Sequence, residues 1–129
     1  MYKTGILNSE ISKVLSDLGH TDRIVIADCG LPVPKGVRKI DLALAFGVPS
    51  FESVYDILLE HMSVQKMIFA EEIKTDNSAL YEKIQETDVE REFVSHEAFK
   101  KLTQDTVAII RTGEATPYAN VILESDVLF

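Results

Sequence analysis

The stretch LGHTDRIVIADCG, residues 18–30, decides how the rest of the chain must be arranged. Its centre, RIVIA (23–27), is apolar and largely β-branched with no polar alternation, the pattern of a strand covered on both faces. Gly19 and His20 precede this strand, and Asp28, Cys29 and Gly30 end it in an acidic turn. A strand hidden on both sides needs other elements above and below it, so the flanking sequence should alternate between helical and extended segments.

The flanks have that character. Upstream, Asn8 or Ser9 is placed to cap a helix whose Ile11, Val14, Leu15 and Leu18 recur at i, i+3, i+4 and i+7, with Gly19 as its stop. Downstream, LPVPKGV (31–37) reads as an irregular loop, because two prolines exclude regular pairing, and RKIDLALAFG (38–47) begins as an alternating strand. Behind Pro49-Ser50, FESVYDILLEHM (51–62) sets Phe51, Val54, Tyr55, Leu58 and Met62 at helical spacing. Further strands are expected at QKMIFAEEI (65–73), EREFVS (90–95), TVAIIRTG (106–113) and NVILES (120–125). A capped helix is expected at NSALYEKIQET (77–87) and a short one at HEAFKKLTQ (96–104), which begins at a histidine. The expected fold is α/β and three-layered, a predominantly parallel or mixed sheet between helices, with antiparallel pairing in the carboxyl-terminal third and residues 1–129 as one domain.

Composition bounds the function. With 129 residues and 46% hydrophobic content the chain has the makings of one ordinary core. Its net charge of −8, from 21 acidic against 13 basic residues, would repel a phosphate backbone, so nucleic acid is not expected as a partner. The amino-terminal segment has no signal-like apolar run, and nowhere do roughly 18 apolar residues follow one another, so a soluble, cytoplasmic protein without membrane contact is expected. The lone Cys29 can form neither an internal disulfide nor a thiolate metal site, and no metal site is expected.

Few residues are candidates for chemistry. His20 and His96 lie at element boundaries, where a side chain can face a cleft, though position alone fits a surface or capping role as well. His61 lies within the amphipathic helix and reads as a surface residue. Asp28 sits at the carboxyl end of its strand, the edge where open α/β sheets place ligands, and an aspartate satisfying turn amides fits that position equally. Cys29 next to Asp28 invites a nucleophile reading, but an isolated cysteine ordinarily packs as a small apolar residue. GVRK lacks phosphate-loop spacing, and no G-x-G-x-x-G occurs. PYAN (117–120) offers a phenol, an amide and a stiffened backbone suited to a hydroxylated ligand, or to a packed turn.

Taken in order, TGILN (4–8), GHTDRIVIADCGLPVP (19–34), HEAFK (96–100) and PYANVIL (117–123) resemble the sugar mutarotase family over essentially the whole chain. ADCGLPVP is similar to the ribose-acting branch, where the fucose-acting branch carries an ADANFP-like continuation in a longer chain. The resemblance implies interconversion of the pyranose and furanose rings of ribose, with His20 as proton donor and Asp28, His96, Tyr118, Ala119 and Asn120 as sugar-binding positions. It also implies a homo-oligomer of two stacked pentameric rings with sites at subunit contacts.

Opening and reclosing a hemiacetal needs only proton transfers, so no cofactor is demanded. A histidine, with an ordinary pKa of about 6.5, suits the acid, and positioned acid–base groups contribute on the order of 100- to 10,000-fold. Lys100, one helical turn after His96, is a candidate extra sugar contact. Five extended residues at about 3.3 Å each put His20 and Asp28 roughly 17 Å apart, too far for one pentose to bridge. The expectation is therefore a site combining His20 of one subunit with Asp28 and the YAN segment of its neighbour. The competing readings are a Cys29-dependent hydrolase using His20 and Asp28, a fucose-type mutarotase, and a non-enzymatic sugar-binding accessory protein.

Overall fold

A computed structural model describes residues 1–129. The apolar run RIVIA forms β1 (Arg23–Ala27), preceded by helix α1 (Ser9–Asp17). The elements that follow are β2 (Arg38–Asp41), α2 (Phe51–His61), β3 (Val64–Ala70), α3 (Ile73–Asp76), α4 (Ser78–Ile84), β4 (Glu90–Val94) and α5 (His96–Leu102). A short 3-10 turn (Thr103–Asp105), β5 (Ala108–Arg111) and β6 (Val121–Ser125) complete the chain.

The six strands form one sheet in the order β2-β5-β1-β6-β3-β4. β1 and β2 each run parallel to β5, and β3 runs parallel to β4, whereas β6 is antiparallel to both β1 and β3. The mixed sheet, with its antiparallel element in the carboxyl-terminal third, is as the sequence suggests.

Alternate residues of β1 enter two different cores, which is why its sequence does not alternate. Ile24 and Ile26 join Ile11, Phe51, Leu58 and Ile84 on the face covered by α1, α2 and α4. Val25 and Ala27 join Phe99, Ile109 and Ile122 on the face covered by α5. Ile24, Val25, Ile26 and Ala27 are all fully buried, and each of the larger three contributes about 1.5–3 kcal/mol by leaving water. Side-chain caps start three of the helices: Asn8 accepts from the Ile11 amide at 3.0 Å, Ser50 from Ser53 at 3.1 Å and Ser95 from Ala98 at 3.1 Å.

Several boundaries differ from the sequence expectation. The strand expected over 65–73 stops at Ala70: the Glu71 amide makes the last ladder bond to β4, to the Val94 carbonyl at 2.6 Å, and the chain then enters α3. The strand expected over 106–113 keeps only 108–111: the Thr112 amide makes the last ladder bond to β1, to the Ala27 carbonyl at 2.9 Å, and its hydroxyl donates to the same oxygen at 2.7 Å. The helix expected over 77–87 ends at Ile84, and Asn77 makes no side-chain cap for it. The helix expected over 96–104 ends at Leu102 and tightens into the 3-10 turn.

Gly113 is the position where a side chain has no room. A Cβ there would lie 2.3 Å from the Ala45 carbonyl oxygen, 2.5 Å from that of Val48 and 2.6 Å from the Val48 nitrogen, all main-chain atoms that cannot swing aside. Gly113→Ala is expected to cost about 3 kcal/mol and to lower the thermal midpoint by about 10 °C. Gly30→Ala, whose nearest neighbour would be Asp28 Oδ1 at 3.8 Å, is expected to shift the midpoint by less than about 2 °C in the same calorimetric measurement.

Candidate functional site

Because β1, β5 and β2 run parallel, their carboxyl ends share one edge of the sheet, and antiparallel β6 begins at that edge. Asp28 at the end of β1 therefore faces Asn120 at the start of β6. The contact is reciprocal: Asn120 Oδ1 accepts from the Asp28 amide at 2.8 Å, and Asn120 Nδ2 donates to Asp28 Oδ2 at 3.0 Å. Asp28 Oδ1 takes the Gly30 amide at 3.0 Å, closing the turn. Asn120 is fully buried, so the pair fixes the orientation of the half-buried Asp28 carboxylate while each oxygen keeps accepting capacity.

A second pair stands on the segment leading into β6 and on α5. The ring of His96 meets Tyr118 edge-on, with centroids 5.1 Å apart, and lies over Phe99 at 6.5 Å. The His96 amide donates to both carboxylate oxygens of Glu72, at 3.0 and 3.1 Å, which anchors the start of α5. His96 Nδ1 is buried and has no partner within the chain, so hydrogen-bonding capacity is left unspent beside the phenol.

Tyr118 is held with a positive φ of 56°, a conformation costing a non-glycine residue on the order of 1–3 kcal/mol. Asn77 helps hold the loop before it, donating to Thr116 Oγ1 at 3.0 Å and to the Pro117 carbonyl at 2.9 Å. Glu114 accepts the Thr116 hydroxyl at 2.9 Å and, through its other oxygen, the Phe51 amide at 2.9 Å. Ala119 is buried in the larger core, so its side chain faces inward. Lys100 is not drawn to this cluster: its Nζ pairs with Glu97 at 2.7 Å, beside a cavity of about 340 Å³ that Pro32 and Pro34 also line.

His20 lies at the opposite end of β1. The strand register sets Ile26 against Val121 at one end and Arg23 against Glu124 at the other, so Asp28–Asn120 and His20 are separated by the full strand. His20 is exposed; its Nε2 is 2.9 Å from Gln65 Oε1 and 4.0 Å from Asp126 Oδ1. A tight turn delivers it: Asp22 accepts the Gly19 amide at 2.8 Å, and Thr21, at φ 72°, donates to the Ser125 carbonyl at 3.0 Å.

Within one chain the same separation also keeps Cys29 away from His20. The main chain of Cys29 is tied down by Glu114 and Arg111, its amide donating to the Glu114 carbonyl at 2.8 Å and its carbonyl accepting from Arg111 Nε at 3.1 Å. The chain places no three His, Cys, Asp or Glu side chains together as a set that could hold a metal ion.

Gln65, Glu72, Asn77 and Glu114 carry no functional signal in the sequence. Each acts on a residue at least 24 positions away, and no local pattern announces such a partnership. The turn residue Asp22 had a weak signal, the spacing of Gly19, His20 and Asp22 just before a strand.

Comparison with known proteins supplies the family. The chain is 64% identical to D-ribose pyranase of Staphylococcus haemolyticus over 129 residues, covering 100% of both chains. It superposes on the structure of Bacillus subtilis RbsD complexed with D-ribose with a TM-score of 0.95, at 56% identity and 100% coverage of both chains. The fucose mutarotase of Streptococcus pneumoniae in complex with L-fucose shares the fold alone, with a TM-score of 0.77 at 24% identity over 95% of each chain. Residues 1–128 match the family model directly, and the chain belongs to the RbsD / FucU transport protein family.

Proposed function

We propose that this chain is an isomerase that interconverts the pyranose and furanose forms of D-ribose. The observation that carries the reading is 64% identity over 129 residues with a D-ribose pyranase, covering 100% of both chains. The solved relative with D-ribose bound, at 56% identity, supports the same substrate.

Opening the pyranose breaks the C1–O5 bond. The ring oxygen receives a proton, for which His20 is the donor, and the anomeric hydroxyl loses one, leaving an open-chain aldehyde. Reclosure joins O4 to C1 with the proton transfers reversed, so atoms are conserved and nothing is oxidised. Asp28 and His96 hold sugar hydroxyls or assist the opposite transfer, while Tyr118, the Ala119 main chain and Asn120 orient the ring. The geometry favouring these roles is the fixed Asp28 carboxylate and the unspent His96 nitrogen at one sheet edge. Lys100, ion-paired with Glu97 at 2.7 Å, keeps two further ammonium hydrogens with which it contacts a sugar hydroxyl in this reading.

One small sugar cannot span β1, so the working site joins His20 of one subunit to the Asp28 group of another. Exposed apolar side chains near both half-sites support such contacts: Leu44 and Phe46 lie near Cys29, and Leu128 and Phe129 end the segment that follows Asp126. The assembly proposed is a decamer of two stacked pentamers. The unpaired Cys29 suits the reducing cytoplasm, and no helix is long and apolar enough to cross a membrane.

Exchange spectroscopy on a panel of aldoses tests the activity. The wild type is expected to accelerate pyranose–furanose exchange of ribose, and His20→Ala to lose at least about 100-fold while keeping its oligomeric mass. Acceleration of fucose but not ribose would reassign the substrate, and binding without acceleration would leave a sugar-binding protein. Mixing inactive His20→Ala with inactive Asp28→Asn chains should restore part of the activity through sites that receive one intact half from each; verified mixed oligomers that stay inactive would sink the shared site.

A further inference from the structure

His20 is embedded in a polar chain of its own. Its Nε2 is 2.9 Å from Gln65 Oε1. Gln65 Nε2 in turn donates to Glu124 Oε2 at 2.7 Å. Glu124 Oε1 accepts a hydrogen bond from Arg23 Nε at 2.9 Å and is ion-paired with a terminal guanidinium nitrogen of Arg23 at 2.8 Å. Three neighbouring strands supply the links, β3 through Gln65, β6 through Glu124 and β1 through Arg23.

The chain has only one self-consistent direction. Burial pushes the Glu124 carboxyl upward, but hydrogen bonds from Gln65 and Arg23 and the nearby Arg23 and Lys66 charges outweigh it and hold the group below the usual carboxylate range. Glu124 is therefore an acceptor only, and Gln65 must turn its NH2 toward it. That leaves the Gln65 carbonyl oxygen facing His20, and a carbonyl oxygen also only accepts. The proton between them must sit on His20 Nε2. The Asp126 carboxylate, 4.0 Å from that nitrogen, favours the same placement.

We propose that Gln65 is a positioning residue that locks neutral His20 as the Nε2–H tautomer, so that Nδ1 is the nitrogen exchanging a proton with the sugar. This rests on His20 being the proton donor of the proposed reaction. In the forward step the imidazolium gives its Nδ1 proton to the ring oxygen as the C1–O5 electron pair moves onto that oxygen. The imidazole left behind carries its remaining hydrogen on Nε2, already bonded to Gln65, so the ring need neither flip nor exchange tautomers within the cycle. On reclosure the Nδ1 lone pair takes the proton of the attacking hydroxyl.

Long-range 1H–15N correlation spectra of the full-length protein report the tautomer directly, with the His20 signals identified by their loss in His20→Ala. At a pH where His20 is neutral, the wild type is expected to show the Nε2–H pattern. Gln65→Met is expected to give a mixture of tautomers and to slow exchange at saturating ribose about 3- to 10-fold, the worth of one oriented hydrogen bond, with KM changed less than about two-fold. Glu124→Gln, which lets the Gln65 amide turn over, should move the tautomer in the same direction. An Nδ1–H pattern in the wild type, or a tautomer unmoved in both variants, overturns the role of Gln65. A tautomer that shifts with no change in rate overturns the role of Nδ1. Full exchange in His20→Ala removes the catalytic reading of His20 and the role of Nδ1 with it, whereas a slow His20→Ala beside an unaffected Gln65→Met overturns only the inference about Gln65.

Discussion

An extended peptide cannot shorten, and the arrangement of this protein follows from that property of β1. The strand is paired on both edges, with β5 and β6, and covered on both faces, so it can neither buckle nor slip. A slip by one residue would exchange Ile24 and Ile26 with Val25 and Ala27 between cores of different shape. His20 and Asp28, the two residues whose chemistry suits a sugar, are thereby held at opposite ends of a rigid bar. On the function proposed above, a single chain then carries two half-sites at opposite ends of β1.

The reversed strand β6 gives each half-site its support. Because it runs against β1, its start brings Asn120 to Asp28 and its end brings Glu124 and Asp126 toward His20. Each end also carries one of the two non-glycine residues with positive φ, Thr21 beside His20 and Tyr118 beside Asn120. Such strain survives only where the surroundings over-determine it. Here the Ser125 carbonyl and the Asp22 carboxylate hold the first turn, and Asn77 and Glu114 hold the second.

The larger part of the fold was legible in the sequence. The unbroken apolar run of β1 called for helices on two sides, and the spacing of Phe51, Val54, Tyr55 and Leu58 placed α2 against it, because periodicity of burial is written locally. Where elements end was less legible. β3 ends at Ala70 and β5 at Arg111, after a last ladder bond to the Val94 and Ala27 carbonyls of the neighbouring strands, and how far a partner strand runs is not written in either segment. The same distinction divides the site. Asp28, His96 and Asn120 stood out by residue type and boundary position, whereas Gln65 and Asn77 sat unmarked inside segments read as ordinary strand and ordinary cap.

By itself the sequence determined the layer order of the fold, the family resemblance, the absence of any local motif for nucleotide or thiolate-metal chemistry, and the length of the spacer between His20 and Asp28. Each of these depends on neighbours within a few residues or on the fixed rise of an extended chain. Only the tertiary structure decided which groups share an edge: that Asp28 and Asn120 bond reciprocally, that His96 stands against Tyr118, and that Gln65 and Glu124 orient His20. Those pairings depend on strand order and register, and a hydrogen bond between residues 45 or 92 positions apart leaves no trace in the local pattern of either.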